Sequence, residues 1–125
     1  LFGIRLMSLF KTSMSKPVRP PNLTDERAQS YFVNPLKAVL QLIELQKETR
    51  QRLAHIAQPI LIIQGRLDVV IDPRNGEVIL NEVKSTNKEL HWLENSTHVL
   101  ILDQEWESAA ELTLKFIQKV THISI

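Results

Sequence analysis

Residues 60–63, Ile-Leu-Ile-Ile, form an unbroken run of β-formers stopped by Gly65. An apolar run of this length without alternation reads as a strand covered on both faces, the pattern of a parallel sheet. Such a strand needs neighbours on both sides, so it cannot stand as an isolated element. Asp72-Pro73 is a cap-plus-proline signal, and Ile79, Leu80 and Val83 give the apolar face of a helix from about Arg74 to Val83. A second strand is expected at about Glu89 to Leu93, with Leu90 and Trp92 toward one face and His91 and Leu93 toward the other. Trp106, Ala109, Ala110, Thr113, Phe116, Ile117 and Val120 then recur at helical steps on one face of a final helix. Asp103 is placed to cap that helix, with Glu105 and Glu107 in its first turn and Lys115 and Lys119 toward its end, as the helix dipole favours. Trp92 and Trp106 read as core residues. The order strand, helix, strand, helix makes the fold class α/β, a parallel sheet with helices over it.

The first part of the chain is less regular. Residues 15–23, Ser-Lys-Pro-Val-Arg-Pro-Pro-Asn-Leu, hold three of the six prolines and read as an extended connector. Asn34-Pro35 predicts an N-cap with proline at the first helical position, opening a helix from about Leu36 to Leu53. Leu36, Val39, Leu40 and Ile43 form its stripe, and Leu42, Leu45 and Leu53 widen it enough to pack on two neighbours or border an apolar cavity.

Composition excludes more than it identifies. The 125 residues make one domain or part of one, and a net charge of +1 creates no field that would recruit nucleic acid or an anionic membrane. The absence of cysteine removes disulfides and thiolate metal sites and suits a reducing, cytoplasmic compartment. The apolar opening contains Arg5 and falls far short of the ~20 residues of a membrane span. It also lacks the layout of a signal peptide, and a chain that opens on Leu1 fits an incomplete gene product or fragment.

The chemistry concentrates in two loops. Asp68 leaves the first strand in Gln64-Gly65-Arg66-Leu67-Asp68, and His98 leaves the second in Asn95-Ser96-Thr97-His98. In open α/β sheets the loops at the carboxyl ends of the strands converge over one edge. Neighbouring strands would let Asp68 accept a hydrogen bond from one imidazole nitrogen, fix the tautomer and aim the other nitrogen at a nucleophile. His55, His91 and His122 show no metal-ligand spacing, so neither a zinc site nor another cofactor is expected. Arg66 sits inside the acid loop and reads as a solvated surface arginine before a pocket-lining one, and Asp103 reads as a helix cap or a partner near His98.

From about Ile56 to Val120 the chain resembles the C-terminal part of α/β-hydrolases of the carboxylesterase and monoacylglycerol lipase type. Pro59-Ile60-Leu61-Ile62-Ile63-Gln64-Gly65-Arg66-Leu67-Asp68 is similar to their acid loop, and Ser96-Thr97-His98-Val99-Leu100-Ile101-Leu102-Asp103 to their histidine loop. The resemblance implies Asp68 as triad acid and His98 as general base, in the family's order of Ser, then Asp, then His. It is weaker over residues 1–55, where it implies a cap or lid-like segment and the helix returning from it, leaving 56–125 as part of the hydrolase core. The implied substrate is a small carboxylic ester or acylglycerol.

Two departures stand out. Thr97 occupies the position before the histidine where the family commonly has glycine. A Gly-x-Ser-x-Gly nucleophile elbow would have to start at Gly3, Gly65 or Gly76, and two positions further on stand Arg5, Leu67 and Val78. Neither nucleophile nor glycine-rich oxyanion loop is present, so these 125 residues are expected to be inactive by themselves. Two other readings stay open: a non-catalytic relic or interaction module whose exposed sheet edges pair with another chain, and a serine aminopeptidase-like hydrolase.

Overall fold

The computed structural model describes residues 2–8, 11–15 and 33–122, so most of the proline-rich connector at 15–23 lies outside the described residues. These residues divide into two compact units, split after Arg52.

In the first unit, α1 (Phe2–Met7) and an antiparallel ribbon of β1 (Ser13–Ser15) and β2 (Val33–Pro35) accompany α2 (Leu36–Arg52). Pro35 is not the first residue of the helix; it pairs with Ser13 at the end of the ribbon. A two-stranded ribbon tolerates proline because its edge needs no further N–H donor. The helix starts one residue later, where the Leu36 N–H donates to the Thr12 carbonyl at 3.0 Å. Leu36 is the only buried residue of α2. Leu42 and Leu45 stay more than half exposed, at 53% and 59%; among the described residues the helix's principal packing partners in this unit, α1 and β2, are too short to cover the widened apolar face.

The second unit opens with a 3₁₀ turn at Leu53–His55 and continues through β3 (Ile60–Gly65), α3 (Asn75–Glu82), β4 (Lys88–Leu93), a 3₁₀ turn at Leu100–Leu102 and α4 (Trp106–Thr121). The two strands pair in parallel, in register from Ile60↔Lys88 to Gly65↔Leu93. Among the described residues each has the other as its sole strand neighbour. Residues 60–63 are therefore half-buried rather than covered, and burial deepens only at Gln64 and Gly65.

Alternation along the strands separates the helices. On one face the Gln64 side chain and Leu90 approach Gly76 of α3, and on the other Lys119 of α4 reaches Glu89 at 2.7 Å. Helix α3 begins at Asn75, one residue later than its sequence suggests, since Asp72 spends its Oδ1 on the Arg74 N–H and so closes the preceding turn. In α4 only Ala109 and Phe116 are buried. Trp106, expected in the core, is 51% exposed, because α4 meets its neighbours along the Ala109–Phe116 line and Trp106 lies off it. Asp103 and Glu105 make no side-chain cap to α4, although Glu105 occupies the N-cap position.

The buried amide of Gln64 joins β3 to the start of α3. Its Oε1 accepts the Gly76 N–H at 3.0 Å, and its Nε2 donates to the Pro73 carbonyl at 3.2 Å. Replacing Gln64 with Leu would strand a buried donor and a part-buried acceptor, each of which costs ~1–3 kcal/mol when unsatisfied. Urea denaturation of Gln64→Leu should accordingly show a loss of about 2 kcal/mol or more.

Candidate active site

Both loops of interest leave the same end of the parallel pair, and backbone contact fixes their spacing. The Arg66 N–H donates to the Leu93 carbonyl at 2.8 Å, which carries the ladder one step past β3, and the Leu67 N–H donates to the Ser96 carbonyl at 3.0 Å. At Gly65 the two chains come closer than any side chain allows: a Cβ built there would lie 2.3 Å from the Ser96 oxygen and 2.4 Å from the Thr97 oxygen. The glycine that ends the apolar strand is thus required by the approach of the histidine loop.

This spacing brings Asp68 and His98 together. His98 Nδ1 lies 2.9 Å from Asp68 Oδ2, while Asp68 Oδ1 accepts the N–H groups of Val70 at 2.8 Å and Ile71 at 3.2 Å. Burial pushes the Asp68 carboxyl up, but the hydrogen bonds from His98 and the two amides outweigh it and hold the group below the ordinary carboxylate value. Asp68 is therefore an acceptor at neutral pH, and the shared hydrogen belongs on Nδ1. That leaves Nε2 to take or give a proton, on a side chain 43% open to solvent.

Asp103 is a loop anchor. Its Oδ2 accepts the Thr97 N–H at 2.6 Å and the Thr97 hydroxyl at 2.5 Å, and its Oδ1 accepts the Gln104 N–H at 2.8 Å. Burial raises its pKa, and these three bonds more than reverse the effect, leaving it lowered. Glu105 Oε2 accepts from the Asn95 N–H at 2.8 Å and the Ser96 hydroxyl at 2.7 Å. Arg66 lies at the surface as expected, paired with Glu94 at 3.2 Å and stacked 4.0 Å from the Trp92 ring centre. Of the two readings of Asp103, its bonds to Thr97 match the partner near His98 and not the helix cap. The backbone contact at Gly65 and the turning back of Glu105 went unread in the sequence; a glycine closing an apolar strand was the available signal for the first. Among the described residues, no three His, Asp or Glu side chains converge as a metal site.

A parallel strand–helix–strand unit with this loop pair at its carboxyl end is the architecture of an α/β-hydrolase. Comparison with known proteins narrows the class. The family model for serine aminopeptidase, S33, matches residues 29–105, and the chain belongs to that family. The match begins well before Ile56 and so takes in α2. A carboxylesterase from Bacillus subtilis (strain 168) is 28% identical over 102 residues, covering 82% of this chain and 42% of the relative. A thermostable monoacylglycerol lipase from Bacillus sp. (strain H-257) is 35% identical over 95 residues, covering 76% and 38%. Among solved structures, one from work on the metagenome-derived lipolytic enzymes LipS and LipT superposes with a TM-score of 0.75 at 39% identity, over 87% of this chain and 44% of that one. The monoacylglycerol lipase of Paleococcus ferrophilus has a TM-score of 0.69 at 16% identity over 90% of this chain and 49% of its own, a likeness of fold alone. The chain spans about two-fifths of the length of the curated relatives it matches.

Two outcomes test the loop packing. Gly65→Ala forces a Cβ against backbone that cannot rotate away, and guanidinium denaturation should show a loss of about 3 kcal/mol or more. Asp68 and Asp103 both have lowered pKa values when folded, so their contribution to stability is complete above the unfolded carboxylate value, ~4, and is lost as pH falls through the folded values. Denaturation midpoints should fall below about pH 4. Asp103→Asn should lower the midpoint at neutral pH and flatten that decline.

Proposed function

We propose that this chain supplies the acid, Asp68, and the base, His98, of a serine carboxylic-ester hydrolase acting on a small ester or acylglycerol. The observation that carries the reading is the 2.9 Å contact between His98 Nδ1 and Asp68 Oδ2 at the end of a parallel strand pair, in a chain with no Gly-x-Ser-x-Gly. The carboxylesterase and lipase relatives support the substrate class. On this reading the nucleophile and oxyanion donors come from polypeptide outside the 125 residues, residues 56–125 form part of the hydrolase core, and residues 1–55 form a cap or lid-like segment with its return helix. Freedom from cysteine fits a cytoplasmic setting.

In the assembled site, His98 Nε2 takes the serine proton as the serine oxygen attacks the ester carbonyl. Asp68 holds the ring and stabilises the imidazolium. The tetrahedral intermediate collapses as His98 returns the proton to the departing alcohol. Water, deprotonated by the same nitrogen, then releases the acid from the acyl-enzyme.

The 125-residue chain alone should release no nitrophenol from a short-chain nitrophenyl ester above a His98→Ala control, and release above that control would refute the reading. Fused behind an elbow-bearing segment from the lipase relative, it should turn over the ester. His98→Ala should then cost on the order of 10⁴–10⁶ in kcat, and Asp68→Asn about 10⁴. The serine aminopeptidase description of the family supports a peptidase on the same scaffold, and preference of the fusion for aminoacyl nitroanilides over esters would favour it. The outer edges of the two-stranded sheet, which have no strand partner among the described residues, support an interaction module. Self-association seen as concentration-dependent mass, together with an inert fusion, would favour that reading.

A further inference from the structure

Asp103 and Glu105, the acidic residues just before α4, point away from it. A carboxylate there ordinarily accepts N–H groups of the first helical turn, yet the α4 N-cap, Glu105, makes no such bond. Glu105 instead takes the Asn95 N–H and the Ser96 hydroxyl, and Asp103 takes the Thr97 N–H and the Thr97 hydroxyl. Every residue of the run 95–97 is thus gripped by a carboxylate just before His98. From the other side the Ser96 carbonyl receives the Leu67 N–H at 3.0 Å, and Gly65 leaves no room for the loop to sink. The His98 side chain is 43% exposed and its ring is hydrogen-bonded to Asp68, so the backbone leading into it decides where the ring sits.

We propose that Asp103 and Glu105 are positioning residues that clamp the backbone before His98, with the Thr97 hydroxyl as the link that keeps the imidazole on Asp68. The inference rests on the proposed role of His98 as base. A glycine at position 97 could donate its N–H to Asp103 but could not supply the second bond. Thr97 and Asp103 are both buried, at 4% exposure each, so that bond is shielded from water, where a charge-assisted hydrogen bond is strongest. Without it, the loop is held at 97 by one bond instead of two, and the ring loses its fixed aim.

The test reads the tautomer of His98 by nitrogen-15 NMR on the 125-residue chain in alkaline solution. In the parent chain the hydrogen should reside on Nδ1. Thr97→Val, which keeps the volume and removes the donor, and Asp103→Asn should each lower the Nδ1–H to Nε2–H ratio about tenfold, the factor expected for loss of one charge-assisted hydrogen bond. Thr97→Ser should restore the parent ratio. Val83→Ala, a core truncation away from the loop, should lower the melting temperature and leave the tautomer unchanged. An unchanged ratio in Thr97→Val would overturn the clamp, as would a change equal to that of Val83→Ala. If Thr97→Val does not fold, the same comparison between Thr97→Ala and Thr97→Ser decides it. Asp68→Asn separates the two levels: if it leaves the hydrogen on Nδ1, the Asp68–His98 pair itself fails and the clamp with it.

Discussion

The backbone of the histidine loop lies against Gly65 with its Ser96 and Thr97 oxygens where a side chain would stand, and the rest of the site depends on that contact. It sets the separation of the two loops to a distance that no other residue type at position 65 permits. Arg66 and Leu67 then have donors within reach of Leu93 and Ser96, so the parallel ladder continues as loop-to-loop hydrogen bonds. Asp68 and His98 meet because main-chain groups bring them together; their own attraction is the last interaction in the series.

Four carboxylates near this end of the sheet differ in what they accept. Asp68, buried to 8% exposure, holds a ring nitrogen and two amides. Asp103 and Glu105 take N–H and hydroxyl donors from residues 95–97. Glu94 pairs with Arg66 at the surface. Asp68 and Asp103 stay ionised although buried because each negative charge collects three hydrogen bonds, which offsets desolvation. In composition they are indistinguishable acidic residues, and only the donors around them divide the labour.

Much of the architecture was legible from local pattern. The strand at 60–65, the helix at 36–52 and the order strand–helix–strand–helix arise from apolar periodicity and from proline and glycine placement, which act within a few residues of chain. The pairing of Asp68 with His98 could be read as well, because strand order implies loop adjacency in a parallel unit. Burial was less legible. Trp106, Leu42 and Leu45 lie on predicted apolar faces and remain exposed, since a hydrophobic stripe records what a helix can bury and not where its neighbours meet it. Asp103 has the position of a helix cap, but its carboxylate turns to the stronger set of donors, two from Thr97 and one from Gln104, in the loop.

Sequence alone determined the α/β order, the ends of the strands, the two residues of interest and the absence of a serine elbow, all properties of short segments or of residue identity. Tertiary structure decided that the Gly65 that ends the strand is also a backbone contact, that Thr97 and Asp103 are bonded partners, and which faces of α2 and α4 stay open. Those outcomes depend on groups brought together from positions distant in the chain, and the free energy of such contacts is set by geometry that no local pattern encodes.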